Sequence, residues 1–249
     1  MSKKRTSKAK EDAKLVQQMN TSTTHVDEDP AQKKHLRIKT FTYKNDAQAT
    51  FGAMIDSKDI TVCGGCAGTG KSFVSIYKAL ELMKRFPDKY EQIVITKPNV
   101  ESGPSLGFLK GTLEDKMAEY IYSMKYIFNI LLDSAKTTRM FTSEQIRVMP
   151  MGFVRGVTLS NCVFILDEAQ NTTPTEMKSI LSRIGPDCKM IINGDENQVD
   201  TKLVREKTGL HAAMTKLRDI PQIGIFEFSN TDIVRHPLIS IILDRMEGK

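Results

Sequence analysis

Residues Gly65-Cys66-Ala67-Gly68-Thr69-Gly70-Lys71-Ser72 fill the pattern G-x-x-x-x-G-K-[ST] without a gap. This is the spacing of a phosphate-binding loop. Glycine lets the backbone take positive φ and come close to a ligand. Successive N–H groups then line a concavity that suits an anion, and a helix starting at Lys71 adds the positive end of its dipole. In that chemistry Lys71 reaches the β- and γ-phosphates of a nucleotide, and Ser72 Oγ ligates Mg²⁺. The bland alternative is a flexible glycine linker. It fits poorly, because residues 60–63 (ITVC) read as a strand and residues 73–83 as a helix.

Two further polar groups follow apolar runs. Asp167 and Glu168 succeed the run Val163-Phe164-Ile165-Leu166, a buried strand delivering a carboxylate to a Mg²⁺ shell, the Walker B pattern. Glu168 is then placed to orient or deprotonate water. Alone, the pair would read equally well as a surface acidic dipeptide. Asn193-Gly194-Asp195-Glu196-Asn197-Gln198 follows a second apolar run. The Gln198 amide is a candidate to orient the attacking water or report nucleotide state, although ordinary turns favour the same residue types.

The elements that must carry these groups alternate. Residues 35–43 alternate in polarity and are expected to form a short strand, and residues 45–55 a short helix. Residues 92–98 read as a strand stopped by Pro98, and 99–116 as a Gly/Ser-rich loop of a length that tends to be functional. A helical stretch, open to a break, runs over 113–135, and strands are expected at 146–151 and 162–166. Thr173-Pro174-Thr175-Glu176 is a capping box with proline at the first helical position, and Gly185-Pro186 is expected to stop that helix. A strand ending at Asn193, a helix near 209–219, a strand at 223–228 and a last helix opened by Pro237 complete the pattern. Alternating strands and helices imply an α/β fold, a mostly parallel sheet flanked by helices. In such sheets ligands bind beyond the C-terminal strand ends, where every polar cluster of this sequence falls.

The 249 residues suffice for one α/β domain. No apolar run approaches the length of a membrane span, and the opening MSKKRTSKAK lacks the apolar core of a secretory signal; a cytoplasmic location is expected. Cys63 and Cys66 form a CxxC, but each has a place in the strand or the loop, and no Cys/His pair stands at zinc-ligand spacing. No structural disulfide is expected among Cys63, Cys66, Cys162 and Cys188. Of the net charge of +6, residues 1–35 supply half, with eight Lys/Arg against five Asp/Glu. That segment is polar and is expected to be a disordered basic tail, with the folded domain over 36–249. Its charge fits contact with nucleic acid and fits solubility alone.

The stretches GGCAGTGKS, ITKPNVESGPSLGFLKGTLEDKM, FVRGVTLSNCVFILDEAQNTTPTEMKSILSRIG, MIINGDENQVD and SNTDIVRHPL resemble the PhoH-like ATPase family. Together with NDAQ they run from about Asn45 to Leu238, and FILDEAQNTTP is the most specific of them. The resemblance implies a RecA-like core similar to the first motor domain of superfamily 1 helicases. It also implies ATP with Mg²⁺, an adenine-reading role for Gln48, and a γ-phosphate-sensing role for Gln198 in G-D-x-x-Q. A solvent-facing helical glutamine is the plain alternative for Gln48. The TKPNVESG stretch falls where helicases carry a nucleic-acid-contacting loop. Lys97 stands where many relatives carry arginine, and the ESGPSLG spacing is slightly altered, departures that bear on substrate contacts.

With a single motor domain, a neighbouring subunit is expected to supply an arginine finger, in a ring closed by head-to-tail contacts. Arg235 in DIVRHPL is the first candidate and Arg155 in FVRGVT the second; either is equally a salt-bridge residue. His236 is expected to cap the last helix. The expected function is a Mg²⁺-dependent ATPase acting on RNA or single-stranded DNA as a homo-oligomeric ring, a hexamer by resemblance. A second reading is an ATP-dependent switch that works through protein partners without strand separation. A third, a nucleotide kinase, suits the Asp-Glu pair and G-D-x-x-Q less well, since both favour water activation.

Overall fold

The computed structural model describes residues 36–98, 113–199, 207–234 and 245, with the side chains of 113–119 excepted. In chain order the elements are α1 (Asp46–Ser57), β1 (Ile60–Gly65), α2 (Lys71–Arg85), β2 (Gln92–Thr96), α3 (Leu113–Leu131), α4 (Ser134–Thr142), β3 (Ile146–Val148), α5 (Met151–Val154), β4 (Cys162–Leu166), α6 (Pro174–Leu181), β5 (Cys188–Asn193), α7 (Gly209–Lys216) and β6 (Ile223–Phe228). The six strands form one sheet in the order β3-β2-β4-β5-β1-β6. Every pairing is parallel, so one strand, β5, separates β1 from β4.

A parallel sheet covered on both faces needs strands that are apolar throughout. β4 and β5 are buried at every position. Side chains alternate across the sheet, and this sorts them into two cores. Cys63, Ile93, Ile95, Val163, Ile165 and Ile191 face a core with Phe51 of α1, Leu80 of α2 and Phe128 of α3. Val62, Val94, Phe164, Leu166, Met190 and Ile192 face another with Met177 and Ile180 of α6 and Leu210 of α7.

The local chemistry explains most boundaries. Asn45 caps α1 by accepting from Gln48 N. Asp133 caps α4 and marks the break in the 113–135 stretch. Thr173 and Glu176 form the reciprocal capping box with proline at the start of α6. Among the described residues no helix is long and apolar enough to cross a membrane, and no disulfide joins any of the four cysteines.

Three boundaries differ from the sequence reading. Residues 36–43 form no strand. Leu36 and Ile38, then Phe41 and Tyr43, pack on the first core, and the three-residue step between Ile38 and Phe41 breaks the period a single strand face would keep. The segment lies over helices: Phe41 packs its ring on Phe73 and Tyr77 of α2, and Lys39 N donates to Leu131 O at the end of α3. No sheet edge is there to pair with. β3 stops at Val148 because Pro150 starts the short α5. α6 ends at Leu181, before Gly185; Arg183 O and Leu159 O hold the following residues through Leu159 N and Gly185 N. Residues 1–35, 99–112 of the expected loop, and the expected last helix with Pro237 and His236, apart from residue 245, lie outside the described residues, while 113–116, read as the end of that loop, already belong to α3.

Candidate functional site at the strand C-termini

Because the sheet is all parallel, the segments after β1, β2, β4, β5 and β6 emerge at one edge. The β1–α2 loop is shaped by left-handed backbone at Gly65, Gly68 and Gly70, with φ of 123°, 88° and 90°. At Gly65 a side chain is excluded twice, by this φ and by Phe228 O, which a Cβ would meet at 2.5 Å. Gly70 stands at the α2 N-cap and offers no side-chain cap, so no side chain competes with an anion for the helix N-terminus. Lys71 Nζ curls into the loop and donates to Gly65 O (2.5 Å) and Cys66 O (2.7 Å). Thr69 is buried, its hydroxyl donating to Cys66 O at 3.0 Å.

The loop meets β4 through one contact. Ser72 Oγ donates to both carboxylate oxygens of Asp167, at 2.9 and 3.1 Å. Burial, and then the adjacent Glu168 charge, pushes the Asp167 carboxyl from the usual 3.8 up to about 6, against the opposing pull of the Ser72 hydroxyl, Lys97 and Lys71. The same two acids, after burial itself, raise the Tyr120 phenol well above its ordinary value. Tyr120 also lies under the Lys97 ammonium, 5.6 Å from the ring centroid. A hydroxyl and a buried carboxylate are hard oxygen donors, which suits Mg²⁺, an ion that takes few protein ligands beside water and phosphate. Among the described residues no cluster of three or more His, Cys, Asp or Glu exists. The fit therefore rests on Ser72 and Asp167 together with the glycine cradle.

Glu168 takes left-handed backbone, φ 57° and ψ 38°. This costs energy in a residue with a Cβ and is typical of functional positions. It opens a 3₁₀ turn over Ala169–Asn171. Gln198 is exposed after a tight turn in which its N–H donates to Asp195 O at 3.0 Å. Behind them, Asn193 at the end of β5 exchanges side-chain bonds with Ser75 of α2, at 3.0 and 3.2 Å.

Gln48 is buried rather than solvent-facing, at 2 % exposure. Its Nε2 donates to Thr69 O and its Oε1 accepts from Lys44 N, both at 2.9 Å. As it stands, the amide braces the phosphate loop through one N–H and one lone pair. Arg155 Nη2 pairs with Glu176 Oε1 at 2.7 Å, at the start of α6. Arg235 lies outside the described residues.

Sequence reasoning missed three parts of this site. Gln170, fully buried, bonds Glu168 and the turn after β5. The Asn193–Ser75 pair joins β5 to α2. The segment after β6 straps the loop: Val234 N donates to Gly68 O at 3.0 Å, Asn45 Nδ2 donates to Asp232 O at 3.0 Å, and the Cys66 thiol donates to Asn230 Oδ1. Gln170 and Asn193 stood out only as polar residues beside apolar runs, and the strap only as part of the polar stretch SNTDIVRHPL, with nothing local to show that it binds the loop.

An all-parallel sheet flanked by helices, with a glycine loop ending in Lys-Ser set against a buried strand-end aspartate, defines an α/β fold of the phosphate-binding-loop class. The chain belongs to the PhoH-like family: the family profile described as "PhoH-like protein" matches residues 40–247. It is 37% identical to a PhoH-like protein of Bacillus subtilis over 86% of this chain and 65% of that one. It is 34% identical to one of Synechocystis over 85% and 62%, and 33% identical to Protein PhoH of Escherichia coli over 78% and 55%. The chain thus spans less than two thirds of the length of these relatives. A solved structure of C. elegans PCH-2 aligns at 17% identity over 78% of this chain and 45% of that one, with a TM-score of 0.29, too low to bear on the fold.

Proposed function

We propose that this protein is a Mg²⁺-dependent ATPase whose turnover is coupled to RNA or single-stranded DNA. The observation that supports the reading is the Ser72–Asp167 contact, which joins the glycine loop to the end of β4 across 95 residues of chain. Ser72 Oγ and Asp167 would hold Mg²⁺, which when bound neutralises phosphate charge and orients the reacting phosphoryl group. Lys71 would leave the loop carbonyls for the β/γ-phosphates. Glu168 would take a proton from the attacking water as its oxygen bonds the γ-phosphorus and the bond to ADP breaks. The Gln198 amide would orient that water. Gln48 is assigned to the adenine edge by family resemblance alone.

A finger arginine would come from a neighbouring subunit of a homo-oligomeric ring, a hexamer by the same resemblance. Arg235 is favoured over Arg155 because the latter is already paired with Glu176.

Phosphate release measured with Mg²⁺, in the presence and absence of single-stranded RNA and DNA, tests the reading. Turnover raised severalfold by either polymer is expected. Turnover indifferent to both would transfer the assignment to an ATP-dependent switch acting through protein partners, and absence of turnover under all conditions would reject the enzyme.

A further inference from the structure

The described residues place one fully buried amide between the proposed base and the proposed sensor. Gln170 Nε2 donates to Glu168 Oε2 at 2.7 Å and to Gln198 O at 3.0 Å, while Gln170 Oε1 accepts from Asp195 N at 3.0 Å. Both amide hydrogens and the amide oxygen are used. This network fixes the orientation: a flipped amide would set its oxygen against a carboxylate and a carbonyl, and its NH₂ against an N–H. Gly194 allows the close approach, since a Cβ there would meet Gln170 Oε1 at 2.9 Å and Gln170 N at 3.0 Å. Glu168 is turned back toward Gln170 by its left-handed backbone.

We propose that Gln170 is a positioning residue that ties the Glu168 carboxylate to the 194–198 turn. One carboxylate oxygen, Oε2, is held by the amide, leaving Oε1 for the proton of the water. Displacement of the turn by a γ-phosphate at Gln198 is transmitted through Asp195 N and Gln198 O to the Gln170 amide, and from there to Glu168. The base is thereby aligned only when the turn is seated. The inference rests on the ATPase reading above and adds the means by which its two parts act together.

The test compares wild type with Gln170→Met, which keeps the approximate volume and loses all three bonds. It includes Gln170→Glu, which keeps an acceptor for Asp195 N–H and sets a carboxylate against Glu168. Affinity for a fluorescent ATP analogue, kcat and thermal unfolding are measured for each. A loss of about tenfold to a hundredfold in kcat is expected, the scale of a misplaced catalytic group, with analogue affinity within about twofold of wild type. In combination with Gln198→Ala the losses should be non-additive, because both act through one turn. Should one variant fail to fold, the other decides. A folded variant with wild-type kcat, a kcat loss matched by an equal loss of analogue affinity, or strictly additive losses would overturn the proposal. Inactive wild type would instead refute the ATPase reading.

Discussion

At the scale of single residues, Asp167 shows how a buried carboxyl costs the fold something. Its carboxyl is raised from 3.8 to about 6 by burial and by Glu168. A carboxyl whose folded value lies above its unfolded one contributes stability below the unfolded value, and that contribution is lost as pH rises through the folded value. In chelator, the stability Asp167 contributes below about pH 4 should therefore disappear by about pH 6. Asp167→Asn is neutral throughout and still accepts from Ser72. It should raise unfolding stability near neutral pH by up to about 3 kcal/mol and flatten the acid slope, while Mg²⁺-dependent turnover falls. Urea titrations of both proteins in chelator at pH 4 and pH 7.5 check this; an Asn variant weaker at pH 7.5 would contradict it. The left-handed Glu168 makes the same point in the backbone.

At the scale of elements, helix caps and apolar periods were legible in the sequence because they are local. The Thr173–Glu176 box is present as read, and Thr173→Ala should cost about 1 kcal/mol, the usual worth of an N-cap. The phosphate loop was equally legible, since its glycines are set by steric needs within a few residues. Residues 36–43 misled because their alternation slips phase between Ile38 and Phe41, and because alternation says nothing of what lies alongside. The contacts of Gln170, of the double-ended Gln48 and of the 229–234 strap were not legible, for another reason. Their partners lie far along the chain and meet only through sheet order. Asn193→Ala would leave the buried Ser75 hydroxyl without its partner and should cost about 1–3 kcal/mol; a change under about half a kcal/mol in a denaturant titration would mean that α2 is not braced by β5.

At the scale of the whole molecule, phosphoryl transfer gains from an arginine delivered by another surface, and Arg235 is the residue proposed for that role. Subunit mixing separates a finger acting in trans from one acting within its own subunit. Arg235→Ala and Lys71→Ala subunits, each inactive, should recover part of the wild-type turnover when exchanged, because some interfaces join an intact arginine to an intact loop. No recovery with exchange confirmed would place the arginine's action in cis, and a monomer with full activity by light scattering would remove the ring. The central claim, that the loop and the strand-end acids hydrolyse ATP together, is tested most directly by phosphate release from Glu168→Gln beside binding of a fluorescent ATP analogue. The swap keeps shape and removes the base, so analogue affinity should stay near wild type while turnover falls by a hundredfold or more, within the range general bases contribute. Wild-type turnover in Glu168→Gln would contradict the account.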